Sequence, residues 1–464
     1  MSEAPQAAAG QAELSAAVAT LMPRARVELA ELVACRSVHD PQIEDPAECA
    51  RAADLVAGLL DDLGVTVTRH TTSDGSVALV GKLAGAVGAP RVLLYSHYDV
   101  VPVGEVAEWT SDPWTLTERD GRWYGRGAAD CKGNLLALLT AVRALRATGG
   151  RLPALTLVVE GSEEQGTGGL VDLVTRRPEL FAADALVVAD CGNIALGVPT
   201  LTTSLRASTS VRIAVRTMAR PAHSGMYGGA APDALQALLT ALASLRGPSG
   251  ETTIDGLDAS ATWSGAPYAV DRFREDAALL DGVDPLDAGE LGDLLWARPA
   301  ATVLAIDAPP TARVSAAVQG EATAIVNLRV PADMDVVAAQ AALLAHLGEH
   351  TPYGLVEVEP LTLGRGFSAR TDGPAYGAMR AAMGAAYGAE AVFSGQGGSI
   401  PVAVALQEAN PEGEVMLLGV EEPGCHIHSP DESLDPAEFE RTALALALFL
   451  SDYATSQASG PAGR

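Results

Sequence analysis

Five strand ends or adjoining loops of this 464-residue chain carry side chains that can hold a cation or move a proton. "LLYSHYDVVP" delivers His97 and Asp99, two residues apart and so on the same side of an extended chain. Asp130 stands in "GRGAADCKGN", just before a helical pattern. Glu163 and Glu164 follow "LTLVVEGS", and on an extended chain they point apart. Asp190 ends "ALVVAD", and "EVMLLGVEEPGC" leads into His426 and His428. So many converging carboxylates repel one another and are costly to desolvate without countercharge. A pair of divalent cations resolves this. Nitrogen and oxygen donors without thiolate suit Zn²⁺, with Mn²⁺ or Co²⁺ as alternatives.

The elements that must position these groups are legible from hydrophobic periodicity. "DPAECARAADLVAGLLDDLG" and "GNLLALLTAVRALRATGG" read as helices stopped by glycine, and a first helix runs near Ala12 to Ala34. "RVLLYSH", "ALTLVVEG" and "ADALVVAD" are continuous apolar runs, as strands buried on both faces are. Their alternation with helices predicts an α/β fold, a mostly parallel sheet flanked by helices. From Thr203 the pattern changes. "STSVRIAVRT" and "ATAIVNLRVPA" alternate like half-exposed strands, "APDALQALLTALASL" and "MDVVAAQAALLAHLGEH" read as helices, and "LVEVEPL" as another strand. This predicts an inserted α+β sandwich at 203–364, between catalytic parts at 1–202 and 365–454, with a disordered tail at 455–464. In open α/β sheets ligands bind at the carboxyl ends of the strands, where the polar groups stand.

The net charge of −27 argues against nucleic acid, since no basic stripe exists to neutralise phosphates. Lys82 and Lys132 are the only lysines. No apolar run reaches the ~18 residues that span a bilayer, and the start lacks the basic head and greasy stretch of a signal peptide. The five scattered cysteines form no C-x-x-C pair, so a reducing cytoplasm is the expected home. "GQGG" and "GTGG" complete neither a dinucleotide nor a P-loop fingerprint.

"SHYDVVP", "GRGAADCKGN", "EGSEEQGTGG", "VVADCGN", "RPAHSGMYGG", "GGSIPV" and "HSPDES" resemble, in order, the successive motifs of one metallopeptidase family. It is the co-catalytic zinc family of carnosinase, cytosolic nonspecific dipeptidase, aminoacylase, succinyl-diaminopimelate desuccinylase and carboxypeptidase G, and the dipeptidase branch fits best. The resemblance implies a catalytic domain interrupted by a lid or dimerisation domain. It implies His97, Asp130, Glu164, Asp190 and His428 as ligands of two metal ions, with Asp130 bridging and the Asp130–Cys131 peptide cis. Asp99 would orient His97, and Cys131 would be a small buried residue rather than a ligand. Locally His426 competes with His428, but "HSPDE" matches the family pattern at His428.

The resemblance further implies Glu163 as general base, acting on a metal-activated bridging water that attacks the amide. His223 would reach across a homodimer to stabilise the oxyanion. Arg329, Gly398 and Ser399 would grip a substrate carboxylate, Arg329 through its fork of donors. The sequence departs from the carnosinase-like pattern at Gly395 and Gln396, where many relatives carry Arg-Glu. The expected activity is hydrolysis of dipeptides. The alternatives are an N-acyl-amino-acid deacylase of the same family and a non-catalytic peptide-binding relative, which predicts broken ligands.

Overall fold

The structure, a computed structural model, describes residues 3–286, 289–398 and 400–456. It divides into two units. One takes the chain up to Thr203, Ala369–Ser394 and the chain from Pro401 on; the other takes Ser204–Ser368 and Gly395–Ile400. The segment Gly395–Ile400, which holds the start of "GGSIPV", therefore groups with the second unit, while Pro401 and Val402 belong to the first. Gly395 lies so close to the Trp296 ring that an added Cβ would meet it at 2.7 Å. Residues 455 and 456 of the expected tail end the helix Pro436–Ser456, and 457–464 lie outside the described residues.

In the first unit the strand order is Thr66–Thr71, Val77–Leu83, Ala154–Glu160, Arg91–His97, Ala185–Ala189, Glu414–Leu418, Thr200–Leu205. Ala154–Glu160, Arg91–His97, Ala185–Ala189 and Glu414–Leu418 run parallel, and the flanking pairs are antiparallel. Successive residues such as Leu93 and Leu94 are both buried, as expected of strands covered on both faces. The helix Lys132–Ala147 is buried along nearly its whole length and packs against Glu3–Val33 and Pro436–Ser456. It begins at the cis peptide Asp130–Cys131, as the resemblance implied.

The second unit holds an antiparallel sheet in the order Ala300–Asp307, Glu321–Val330, Ala207–Arg216, Leu355–Gly364. Two helices pack on it, Ala234–Ala243 and Val336–Glu349. Asp233 and Asp335 cap them, each accepting two backbone N–H groups of the first turn. Glu321–Val330 alternates in burial as read from the sequence. Ala207–Arg216 alternates only in part: on its second face the small residues Ser210 and Ala214 are buried while Arg212 and Arg216 are exposed.

Candidate metal centre and active site

The central strands end side by side, with His97 the direct neighbour of Glu160. His97 is fully buried. Its Nε2 lies 3.2 Å from Asp130 Oδ1 and 3.2 Å from Asp190 Oδ1. Its Nδ1 lies 3.1 Å from the Asp99 carbonyl oxygen and 3.4 Å from the Asp99 carboxylate. That carboxylate is occupied chiefly elsewhere. It accepts the backbone N–H of Glu163 at 3.1 Å and of Glu164 at 3.0 Å. Asp99 thus fixes the acidic turn as well as standing behind the imidazole.

Glu163–Gln165 is a single 3₁₀ turn, not extended chain. The expectation that the two acids point apart along a strand is therefore corrected: the tight turn and Asp99 set their directions. Glu164 Oε2 lies 3.2 Å from His428 Nε2, which also stands 3.0 Å from Asp130 Oδ2. His426 is exposed and stands in neither donor group. The result is two donor groups, His97–Asp130–Asp190 and Asp130–Glu164–His428, sharing Asp130. Cys131 touches the first, but its thiol donates to the Ala189 carbonyl at 2.9 Å and burial pushes it up, so it stays a neutral thiol.

The electrostatics call for cations. Burial, then the charge of Asp190, pushes Glu163 up to about 9, and burial pushes Glu164 up to about 7. Burial also raises Asp190. Burial opposes protonation of His97, but the charge of Asp190 and hydrogen bonds to Asp130 and Asp190 outweigh it and hold the imidazole well above its ordinary value. Hydrogen bonds to Asp130 and Glu164 lift His428 to about 10. Glu164 Oε1 is buried with no hydrogen-bond partner among the described residues. These donors, sharing protons at about 3 Å and leaving a carboxylate oxygen orphaned, fit divalent cations.

Several supporting residues escaped the sequence reading. Glu432 is fully buried. Its carboxylate accepts the N–H groups of Gly127, Ala129 and Asp130 and pairs with Arg126 at 2.6 Å. It ties the loop of Asp130 to the segment carrying His428. Asp74 accepts from Ser162, Thr167 and Thr72 and so staples the far side of the acidic turn. Tyr95 donates to Glu160 at 2.9 Å, and burial pushes Glu160 up to about 8. The spacing of "TTSDGS" hints at Asp74; Glu432 stands within the quoted "HSPDES", but its bonds to the loop of Asp130 were not read from it.

The remaining predicted residues lie in the second unit. His223 is exposed, and its Nδ1 accepts the Gly225 N–H at 3.1 Å. Gly398 is exposed, and Ser399 lies outside the described residues. Arg329 is half-buried and its Nη1 has no hydrogen-bond partner among the described residues. Beside it is Arg206, unforeseen from the sequence. Arg206 Nη2 donates to the carbonyls of Arg298 and Arg329, at 2.7 and 2.9 Å, while its buried Nε has no such partner. Burial, and then the charge of Arg329, pushes Arg206 down to about 10. Neither guanidinium pairs with a carboxylate among the described residues, so the two together favour an anion.

An open α/β sheet with two donor groups joined by a shared carboxylate at its strand ends defines a metallohydrolase. The chain belongs to peptidase family M20/M25/M40, whose family model matches residues 93–452. It is 44% identical to the cysteinylglycine-S-conjugate dipeptidase of Corynebacterium striatum over 432 residues, 92% of this chain and 94% of that protein. It is 29% identical to the Beta-Ala-His dipeptidase of Homo sapiens over 385 residues, 77% of this chain and 74% of that one. The fold is shared with human carnosine dipeptidase 1, with a TM-score of 0.76 and 24% identity over 96% of this chain and 98% of that chain. It is also shared with the dipeptidase Dug1p of Saccharomyces cerevisiae, with a TM-score of 0.76 and 21% identity over 96% and 99%.

Proposed function

We propose that this metallopeptidase hydrolyses the amide bond of dipeptides with Glu163 as general base and two divalent cations, Zn²⁺ by their ligand chemistry, held by His97, Asp130, Glu164, Asp190 and His428. The observation that carries the reading is the pair of donor groups sharing Asp130, in a chain that matches a cysteinylglycine-S-conjugate dipeptidase over nearly its whole length. Cations bound there supply Lewis acidity, neutralising the crowded carboxylates and making a water acidic enough to deprotonate near neutral pH.

Glu163, then ionised, takes a proton from the attacking water at a carboxylate oxygen and later passes it to the leaving amine nitrogen. Asp99 holds the turn that aims Glu163 and keeps His97 oriented. Arg329, with Gly398 and Ser399, receives the substrate carboxylate; the unpaired Arg329 Nη1 beside Arg206 supports this. The working form is a homodimer in which His223 of the partner subunit donates to the carbonyl oxygen. Support comes from the edge strand Ala300–Asp307, which exposes Val303, Leu304 and Ile306. A cytoplasmic home agrees with Cys35, Cys49, Cys131 and Cys425 standing as free thiols, and no described helix is long and apolar enough to cross a membrane.

The test is hydrolysis of a panel holding Cys-Gly, its S-conjugates, β-Ala-His and N-acyl amino acids, beside metal content before and after chelation. About two ions per chain and chelator-sensitive dipeptide cleavage are expected. Cleavage of N-acyl amino acids with dipeptides left intact moves the activity to deacylation, and failure to take up metal overturns the site.

A further inference from the structure

The second unit carries a donor cluster of its own, built by one helix and one loop. His346 and His350 stand one turn apart at the end of the helix Val336–Glu349, where residues i and i+4 share a face. Asp255 comes from the chain that follows Ala234–Ala243. His346 is 2% exposed and packed among core residues that include Leu343 and Leu347, a costly place for an imidazole without a partner.

The hydrogen bonds fix its tautomer. Ser244 Oγ donates its proton to the Ala241 carbonyl at 2.7 Å, so it accepts from His346 Nε2 at 2.9 Å. The Asp255 backbone N–H donates to His346 Nδ1 at 3.1 Å, so Nδ1 carries a lone pair. That lone pair lies 3.1 Å from Asp255 Oδ2, which is itself an acceptor. His350 Nε2 lies 2.8 Å from the same oxygen. Two acceptors and a third nitrogen therefore converge on one point.

The two nitrogen–oxygen spacings, 3.1 and 2.8 Å, are close to those within the donor groups that share Asp130, which are 3.0 to 3.2 Å. Ligand atoms at Zn–N and Zn–O bonds of about 2.0–2.1 Å in a tetrahedral site are separated by roughly 3.3 Å. A few tenths of an ångström of opening admits an ion. Asp255 and His350 face solvent, which leaves room for entry and for water in the remaining position.

We propose that His346 Nδ1, His350 Nε2 and the Asp255 carboxylate form a further divalent-cation site, of the Zn²⁺ class, separate from the catalytic residues. Binding takes the place of the hydrogen between His350 Nε2 and Asp255, the neutral His350 ring then carrying its proton on Nδ1, and His346 Nδ1 exchanges its bond to the Asp255 N–H for the ion. The ion then ties the loop of Asp255 to the helix end, a structural clamp within the second unit.

The experiment uses the full chain, stripped with a chelator, reloaded with Zn²⁺, desalted and counted by mass spectrometry beside a protein assay. Wild type is compared with His350→Ala and Asp255→Asn, both changes at exposed side chains. The expected result is one ion fewer per chain in each variant, with dipeptide turnover and KM unchanged. An equal ion count in wild type and variants overturns the proposal, whatever the total. The readout is a difference of one ion, so it stands even if the catalytic residues bind fewer ions than proposed.

Discussion

Glu163 and Glu164 are neighbours of one residue type, yet their surroundings give them different work. Glu164 meets His428, while Glu163 stands outside both donor groups. Glu163→Gln is therefore expected to lower turnover about 10²–10⁴-fold with metal content per chain unchanged; loss of the ions together with turnover would assign it as a ligand. Raised carboxyls also carry a pH signature. The folded chain holds a proton on Glu163 up to about pH 9 and on Glu160 up to about 8, whereas the unfolded chain releases both near 4.5. The folded state binds more protons across that window, so the metal-stripped protein loses stability as pH rises from about 5 to 9. Thermal melts of stripped and Zn²⁺-loaded protein check this, the slope being expected to flatten on loading. Glu432→Gln leaves Arg126 buried without its counterion and is expected to cost about 3–5 kcal/mol, read from denaturant melts. The donor residues that the fold gathers were legible because most of them stand where apolar runs end. The bonds of Glu432 and Asp74 were not, because their partners lie far along the chain: Gly127 is 305 residues from Glu432, and Ser162 is 88 from Asp74.

At the scale of elements, parallel strands of matched register deliver their ends to one place, and tight glycines let the following turns close. Gly161 is one such point. A Cβ there would meet the Tyr98 hydroxyl at 2.1 Å and its ring at 2.3 Å, and that hydroxyl is already bonded to the Val77 carbonyl at 2.8 Å. Gly161→Ala is expected to cost about 1–3 kcal/mol by overpacking and to lower kcat by shifting the acidic turn, measured by melts and steady-state kinetics. Sequence periodicity read the buried strands well, since runs such as "RVLLYSH" admit little else. It misjudged Ala207–Arg216, where small side chains on the second face are covered by their neighbours, and the Glu163–Gln165 turn, whose shape depends on hydrogen bonds to Asp99. The loop at 395–400 was misassigned for a similar reason: Trp296, which holds Gly395, is about a hundred residues earlier.

At the scale of the whole molecule, the division into two units was visible as a change of hydrophobic pattern near Thr203. The return was harder to read, because a short segment goes back to the second unit after Ser394. The proposed dimer makes a prediction at this scale. Leu304→Lys with Ile306→Lys places two charges on the exposed edge strand, and light scattering is expected to show a monomer with turnover sharply reduced. A fully active monomer would remove His223 from the mechanism.

The strand Glu414–Leu418 lies between Ala185–Ala189 and Thr200–Leu205. The ribosome makes it last of the three, more than two hundred residues after its neighbours. Until it emerges, the nascent first unit has an open seam through its sheet. The second unit's four-stranded sheet is complete once Leu355–Gly364 has been made. Synthesis therefore delivers the inserted unit folded before the unit that encloses it in sequence. Chains arrested before Glu414 are expected to resist protease across 204–368 and to be cut readily in the segment that precedes it.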